Sequence, residues 1–193
     1  MKHIGLLLSL AFCAAILSAS AQYTQRWYQA GVKISMNVPL NRGYAADLEL
    51  TTLRNMHFNG YFRAGKYVFG EVGLGYHFFK GTYLFPDNSS SLLETRHLTI
   101  PVKLVGDVRL SKSVSFLPQV GVIYQPLLKC AGDLRTFNKN MVENHWTLLT
   151  AGFDIRLGFI ILGVDYRYSF QEYFRNMSGK KPQFVNICIG AQF

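Results

Sequence analysis

Residues 159–171 read Phe-Ile-Ile-Leu-Gly-Val-Asp-Tyr-Arg-Tyr-Ser-Phe-Gln, a stretch in which apolar and polar side chains alternate. Every even position from Ile160 to Phe170 carries a large apolar side chain, whereas the odd positions include Asp165 and Arg167. Successive side chains of a β-strand point to opposite faces of the sheet, so a period of two indicates a strand. The stretch therefore predicts a strand with one apolar face and one polar, charged face.

The same alternation recurs in seven further segments of the chain. No run of 18 or more apolar residues, the length that indicates a transmembrane helix, follows residue 21. With the first stretch the segments give eight strands, the smallest number common in even-stranded membrane barrels. The other seven predicted strands are 26–38, 53–63, 67–79, 97–106, 113–127, 145–157 and 183–193.

Away from the strand ends, the charged side chains and histidines within these strands share one face. A charge that faces lipid near the bilayer midplane costs about 2–4 kcal/mol, whereas a charge inside a barrel can be paired or hydrated. A soluble β-sandwich with its polar face in water would show the same segregation, so the charges alone do not choose between the two folds. The residues of this polar face are Lys33, His57, Arg63, Glu71, His77, Lys103, Asp154, Arg156, Asp165 and Arg167.

The lengths of the connections favour the barrel. Short connections are predicted after the second, fourth and sixth strands, and long ones after the first, third, fifth and seventh. In an up-and-down order this places all long connections at one end, as in outer-membrane barrels. The chain is therefore predicted to be all-β, an eight-stranded antiparallel up-and-down transmembrane β-barrel. The short connections are 64–66, 107–112 and about Gly158, and the long ones are 39–52, 80–94, 128–144 and 172–182.

The N-terminal residues predict export. One basic residue precedes the apolar stretch 4–17, and a small-residue site ends at Ala21, which is the pattern of a secretory signal peptide. Residues 1–21 are predicted to be this signal peptide, cleaved near Ala21, and residues 22–193 an outer-membrane β-barrel domain. The terminal aromatic residue, Phe193, resembles the C-terminal signal that barrel-insertion machinery recognises. The predicted location is the cell outer membrane.

Composition excludes several other classes of protein. The chain is 49% hydrophobic and only 16% charged, unlike a disordered chain or a charged coiled coil. The formal net charge of +9 suits nucleic acid, but the basic residues lie at strand ends and in loops, and the export signal argues against that partner. Only Cys130 and Cys188 follow the signal peptide, so we expect no disulfide framework.

The chain resembles the small outer-membrane barrel proteins of the Bacteroidetes, the PorT-like group. The resemblance rests on the Ala21-Gln22 junction, on Leu-Thr-Ile-Pro-Val-Lys-Leu at 98–104, and on Gly-Val-Asp-Tyr-Arg-Tyr at 163–168. It implies an integral outer-membrane protein, which in some members is needed for protein export by type IX secretion. Secretion-system proteins would then be partners, and the family has no catalytic motif to carry over to this chain.

A network of opposite charges is predicted inside the barrel. An eight-stranded interior is just wide enough for side chains to fill, so these charges are expected to form a salt-bridge plug rather than a catalytic pair of carboxylates. Glu71 and Lys103 lie on neighbouring strands and share the inward face. The predicted network comprises Lys33, Glu71, Lys103, Asp154, Arg156, Asp165 and Arg167.

Three histidines on the inward face, His57, His77 and His97, raise the alternative of a zinc site. No acid or cysteine completes a recognisable ligand spacing, and histidines also serve as hydrogen-bonding filler inside a barrel. The prediction is therefore that the protein holds no metal and no cofactor.

Two further alternatives remain open. An outer-membrane lipid-modifying hydrolase needs a nucleophile beside a base, and the nearest pair is Thr99 with His97. A soluble periplasmic lipocalin-like carrier needs an apolar interior and a polar exterior. The favoured prediction is a non-enzymatic membrane barrel.

Lipid contacts are expected at both rims of the barrel. Aromatic residues near the predicted boundaries fit interfacial girdles, among them Trp27 and Tyr67 at one end and Tyr76 and Phe170 at the other. Basic loop segments at 135–139 and 175–181 are candidates for the anionic phosphates of lipopolysaccharide, although solvated loop charge explains them more simply.

Overall fold

The computed structural model describes residues 27–40, 49–84, 90–132, 142–175 and 181–193. The predicted signal peptide and its cleavage site lie outside these ranges. In the described ranges no helix is long and apolar enough to cross a membrane. The strands are β1 (Tyr28–Pro39), β2 (Glu49–Gly65), β3 (Val68–Leu84), β4 (Ser90–Gly106), β5 (Val108–Arg109), β6 (Val114–Gly132), β7 (His145–Leu157), β8 (Ile160–Ser169) and β9 (Gln183–Gln192).

The strands form one closed antiparallel sheet. The hydrogen-bonded order is β4-β3-β2-β1-β9-β8-β7-β6, and β4 also pairs with β6, which closes the ring. The first and last strands pair in register, with Val32 opposite Ala191. The two-residue β5 follows β4 after Asp107 and pairs with the start of β6. The predicted eight-stranded up-and-down barrel is therefore confirmed.

Tight turns at one end follow the prediction. Gly65 is the last residue of β2 and Gly158 lies in the turn after β7, and they have positive φ angles of 151° and 64°. Residues with a Cβ atom rarely adopt such angles, so glycine at these positions permits the chain to reverse within a few residues. The connection 107–112 contains β5 and is less compact than predicted.

The predicted long connection 80–94 is wrong. β3 continues to Leu84 and β4 begins at Ser90, so the two strands extend together well beyond the predicted boundary. The reason is a reversal of polarity along β3: inward-facing Phe79 and Tyr83 are fully buried, while Lys80 faces outward. The alternation predicts the strand only to residue 79, because beyond that position the outward face is no longer apolar.

Apolar side chains close the interior near both ends. A cluster at the end with the extended strands contains eight buried residues, and we call it the aromatic cluster. A smaller cluster near the tight turns consists of Phe69, Val105 and Leu117. Between the two clusters the interior is polar. The aromatic cluster comprises Phe79, Tyr83, Leu93, Val142, Trp146, Tyr173, Phe174 and Phe184.

The outer surface is apolar over most of its height. Leu74 is 61% exposed and Ile189 is 56% exposed, whereas the inward-facing Arg63 and Asp154 are fully buried. This inside-out distribution of polarity is the reverse of that in a soluble protein, which buries its apolar side chains.

Candidate functional site: the polar interior

Asp154 on β7 is the centre of the lower polar layer, the one nearer the tight turns. Its Oδ2 atom accepts hydrogen bonds from Lys33 Nζ at 2.7 Å and from Arg63 Nη2 at 3.0 Å. Its Oδ1 atom accepts one from Gln119 Nε2 at 3.0 Å. These donors come from β1, β2 and β6, so one carboxylate links four strands across the interior.

Arg63 connects this centre to Glu71. Its Nε atom donates to Glu71 Oε2 at 2.6 Å, and the Tyr61 ring lies 4.6 Å from its guanidinium carbon. Lys33 Nζ lies 5.0 Å from the same ring. A Cβ atom on Gly31, opposite Tyr61 in register, would lie only 2.5 Å from the tyrosine hydroxyl. Glycine at position 31 therefore gives Tyr61 the room to lie between the two cations, where cation–π attraction holds it.

The upper polar layer is centred on Asp165. Its Oδ1 atom accepts hydrogen bonds from Arg167 Nε at 2.7 Å and from Thr150 Oγ1 at 2.9 Å. Its Oδ2 atom accepts one from Asn186 Nδ2 at 2.8 Å. Arg167 Nη1 also donates to Asn37 Oδ1 at 3.2 Å, which extends the layer to β1.

All seven residues of the predicted network are buried inside the barrel. Glu71 and Lys103, however, do not form an ion pair with each other. Glu71 and Lys103 face each other in register, yet Glu71 bonds to Arg63, and Lys103 Nζ donates to Gln119 Oε1 at 3.1 Å. Arg156 lies apart from both layers, where it bonds to Ser115 Oγ and lies 3.7 Å from Asp107. Contacts between adjacent strands, such as Arg63 with Glu71, therefore combine with contacts across the lumen from Lys33 and Arg63 to Asp154.

The three histidines form a stack above these layers. The ring centroids of His57 and His77 are 4.0 Å apart at an interplanar angle of 11°, and His97 follows at 5.4 Å. Trp146, which belongs to the aromatic cluster, extends the stack at 4.8 Å from His97. Stacked rings present their faces to one another rather than their nitrogens to a common point. Within the described ranges, no group of histidine, cysteine and acidic side chains has the arrangement of a metal site.

The contacts of His97 do not match those of a hydrolase. His97 Nε2 lies 3.1 Å from Thr95 Oγ1, and no hydrogen bond joins it to the predicted candidate nucleophile, Thr99. Both residues are buried, at 0% and 2% exposure. A nucleophile must meet its base and its substrate, so this pair does not form the predicted catalytic arrangement.

A cavity of about 30 Å³ separates the two polar layers. Its lining includes Lys33, Lys103, Asp165, Arg167 and Cys188. A water molecule needs roughly 10–15 Å³ of such volume, so the cavity has room for about two waters and none for a lipid or an oligosaccharide. Among the described residues, this level of the lumen is therefore filled by polar side chains and does not form a ligand pocket.

Fold and interior together define the class: a closed eight-stranded β-barrel with a filled polar lumen and an apolar outer surface. Among solved structures, the chain is similar to the outer membrane protein OprG from Pseudomonas aeruginosa, at 11% identity over 86% of this chain and 95% of that chain, with a TM-score of 0.49. It is also similar to Ail, the attachment invasion locus protein of Yersinia pestis, at 12% identity over 86% and 97%, with a TM-score of 0.44. No family model matches the chain, and no curated protein matches its sequence.

Proposed function

We propose that this chain is an integral outer-membrane protein that is not an enzyme. Its barrel has a filled interior, and the connections at one end bind partners. The observation that carries the proposal is the inversion of polarity between the buried charges and the exposed apolar surface. Val32, Leu104 and Ile189, on three different strands, are each more than half exposed. Apolar surface of this extent is costly in water and stable in lipid.

The height of the apolar band supports insertion across a bilayer. Along β3 the outward side chains from Val68 to Phe78 are apolar or aromatic apart from Gly70, and Lys80 follows them. The ten residue steps at about 3.3 Å each, tilted by about 40°, rise about 25 Å, which is the height of the apolar band in outer-membrane barrels. Closure of the sheet also satisfies the backbone hydrogen bonds that lipid cannot satisfy.

The filled interior supports a role other than diffusion of solutes. Two polar layers, the histidine stack and the aromatic cluster occupy successive levels of the lumen. The same polarity argues against the lipocalin-like carrier, because that class needs an apolar interior. The buried His97 and Thr99 argue in the same way against the lipid-modifying hydrolase.

For the biological role, we propose an accessory part in protein export, of the type IX kind. The support is the resemblance of segments 98–104 and 163–168 to the PorT-like group. The filled interior adds to it, because such a barrel is better suited to anchoring partner proteins in the membrane than to transporting solutes. The proposed partners are barrel-insertion machinery during biogenesis, outer-membrane lipid and lipopolysaccharide, and secretion-system proteins.

Two experiments test membrane insertion and the role in protein export separately. Fractionation and heat-modifiable migration on gels test insertion, and recovery of the folded protein in the soluble periplasm would overturn it. A pull-down of the tagged full chain from detergent-solubilised outer membrane tests the export role, with an unrelated barrel of similar size as the control. Recovery of secretion-system proteins with this chain alone supports the role; equal recovery with the control contradicts it.

A further inference from the structure

Four basic side chains lie on the outer surface just above the apolar band. Arg54, Lys80, Arg96 and Lys129 belong to the adjacent strands β2, β3, β4 and β6, and we call them the basic row. All four lie on the end with the extended strands and the aromatic cluster.

The strand register arranges these cations in two opposed pairs, with Glu94 opposite Lys80 between the pairs. Arg54 is opposite Lys80, and Arg96 is opposite Lys129. Residues directly opposite in an antiparallel pair have their Cβ atoms about 4.5–5.5 Å apart, and like charges at that distance destabilise the sheet. An irregularity in the β4–β6 register after Arg96 places Leu128 outside the pairing, and this extra residue allows Lys129 to face outward with Arg96.

One member of the basic row is held in a fixed orientation. Arg96 donates from Nε at 2.9 Å and from Nη2 at 2.7 Å to Glu94 Oε1. Its side chain remains 42% exposed. Glu94 offsets only one of the four positive charges of the basic row, so the row keeps an excess of positive charge.

The basic row occupies one side of the barrel and stands directly above apolar surface. Phe58 is 46% exposed and Tyr124 is 45% exposed on the strands below it. On the other half of the barrel, the outward side chains near this end include the uncharged Val38, Tyr168 and Phe170. A molecule that matches this surface has several negative charges at one level and apolar chains directly beneath them.

We propose that the basic row binds the phosphate groups of a phosphorylated glycolipid of the outer leaflet, whose acyl chains lie on the apolar band below. Arginine and lysine bind phosphate through charge-assisted hydrogen bonds, and two phosphates on one headgroup would offset both pairs of opposed cations. The inference rests on the proposed membrane insertion, with the extended strands on the outer side.

The experiment uses the purified full-length mature protein in a non-ionic detergent, titrated with bisphosphorylated lipid A, with dephosphorylated lipid A and with phosphatidylglycerol. Retained lipid is counted by native mass spectrometry. The test variant is Arg54→Gln/Lys80→Gln/Lys129→Gln, which leaves Arg96 and Glu94 intact. The control is Lys66→Gln/Arg109→Gln/Lys112→Gln, which removes three cations at the tight-turn end.

We expect the wild type and the control to retain bisphosphorylated lipid A, and the test variant to bind it at least about tenfold more weakly. Dephosphorylated lipid A should bind weakly to all three. Equal binding by the test variant and the wild type would overturn the site, and so would an equal loss in the control. Phosphatidylglycerol binding as tightly as lipid A would overturn the choice of glycolipid.

The outcome is separable from the proposed function. Heat-modifiable migration of both variants shows whether each still folds as a barrel, and fractionation of the wild type tests insertion independently of lipid binding. A wild type that inserts but retains no lipid A contradicts the basic row alone.

Discussion

Lys33 and Asp154 are 121 positions apart in the chain, and their side chains meet at 2.7 Å inside the barrel. Their strands, β1 and β7, are separated in the sheet by β9 and β8. The ion pair therefore crosses the lumen instead of following the sheet. Since Arg63 contributes a second cation to the same carboxylate oxygen, Asp154 holds opposite walls of the barrel together.

Asp154→Asn should destabilise the folded barrel strongly. The amide keeps the shape of the carboxylate but leaves Lys33 and Arg63 without that charge, and removing one partner of a buried pair costs about 3–5 kcal/mol. Urea unfolding in detergent micelles measures the loss. Glu143→Gln is the control, since it breaks the surface contact with Arg175 at 3.4 Å and should change stability by less than about 1 kcal/mol. Equal effects of the two changes would contradict the central role of Asp154.

Gly163→Ala should also be destabilising, although it adds one methyl group. A Cβ atom at Gly163 would lie 2.1 Å from Asp154 Oδ1 and 2.6 Å from Cys188 Sγ, so the carboxylate must move. Overpacking of this kind costs about 1–3 kcal/mol. Gly70→Ala is the matched change, because nothing lies within 4 Å of its Cβ position, and it should leave stability equal or slightly higher. The same unfolding measurement compares them, and a harmless Gly163→Ala would show that the interior is loosely packed.

The purified wild-type protein should show no steady ion conductance in planar bilayers. Asp154, Asp165, the histidine stack and the aromatic cluster occupy successive levels of the lumen, and the cavity between the polar layers is only about 30 Å³. A general porin of larger strand number serves as the positive control. A large, stable conductance for this chain would mean that the interior is an open aqueous channel.

Cys188 should resist thiol reagents until the barrel unfolds. Its side chain points inward and is 6% exposed, whereas its neighbour Ile187 faces outward and is 50% exposed. In a Cys130→Ser background, a lipophilic maleimide should label Cys188 only in denaturant. In a background that lacks both cysteines, Ile187→Cys should be labelled in the folded protein. The opposite order of reactivity would place the polar face outside and contradict membrane insertion.

Protease added to intact cells should cut in the connections that follow β6 and β8 and spare 107–112. This follows from the orientation in which the extended strands and long connections face outward, as in outer-membrane barrels. Lysed cells provide the control, because there all connections become accessible. Cleavage confined to 107–112 in intact cells would reverse the proposed orientation.

The barrel was predictable because the alternation recurs in eight segments, the charges within the strands share one face, and short and long connections alternate along the chain. The contacts inside it were less predictable. Sequence places Lys33 and Asp154 on the inward face, but it does not say which strands lie opposite across the lumen. The sequence alone gives Tyr61 no role, since only the pairing with Gly31 reveals the space for its ring.

The strand ends were predicted poorly for a related reason. At Phe79 and Lys80 the apolar and polar faces exchange sides, because the strand leaves the apolar band while its inward face enters the aromatic cluster. A rule that seeks one uninterrupted apolar face stops there. Lys129 was missed as a strand residue because the irregularity beside it breaks the alternation that defines a strand in sequence.

The pairing of β1 with β9 has a consequence for how the protein reaches its folded state. Val32 and Ala191 are adjacent in the finished ring, so the ring cannot close before the last strand has been delivered. Contacts between residues so distant in sequence form slowly. Until β9 pairs with β1, the open sheet has unpaired strand edges beside an apolar face. Biogenesis should therefore depend on a chaperone that shields the chain in the periplasm, and overproduction beyond the capacity of that chaperone should yield aggregates rather than a soluble intermediate.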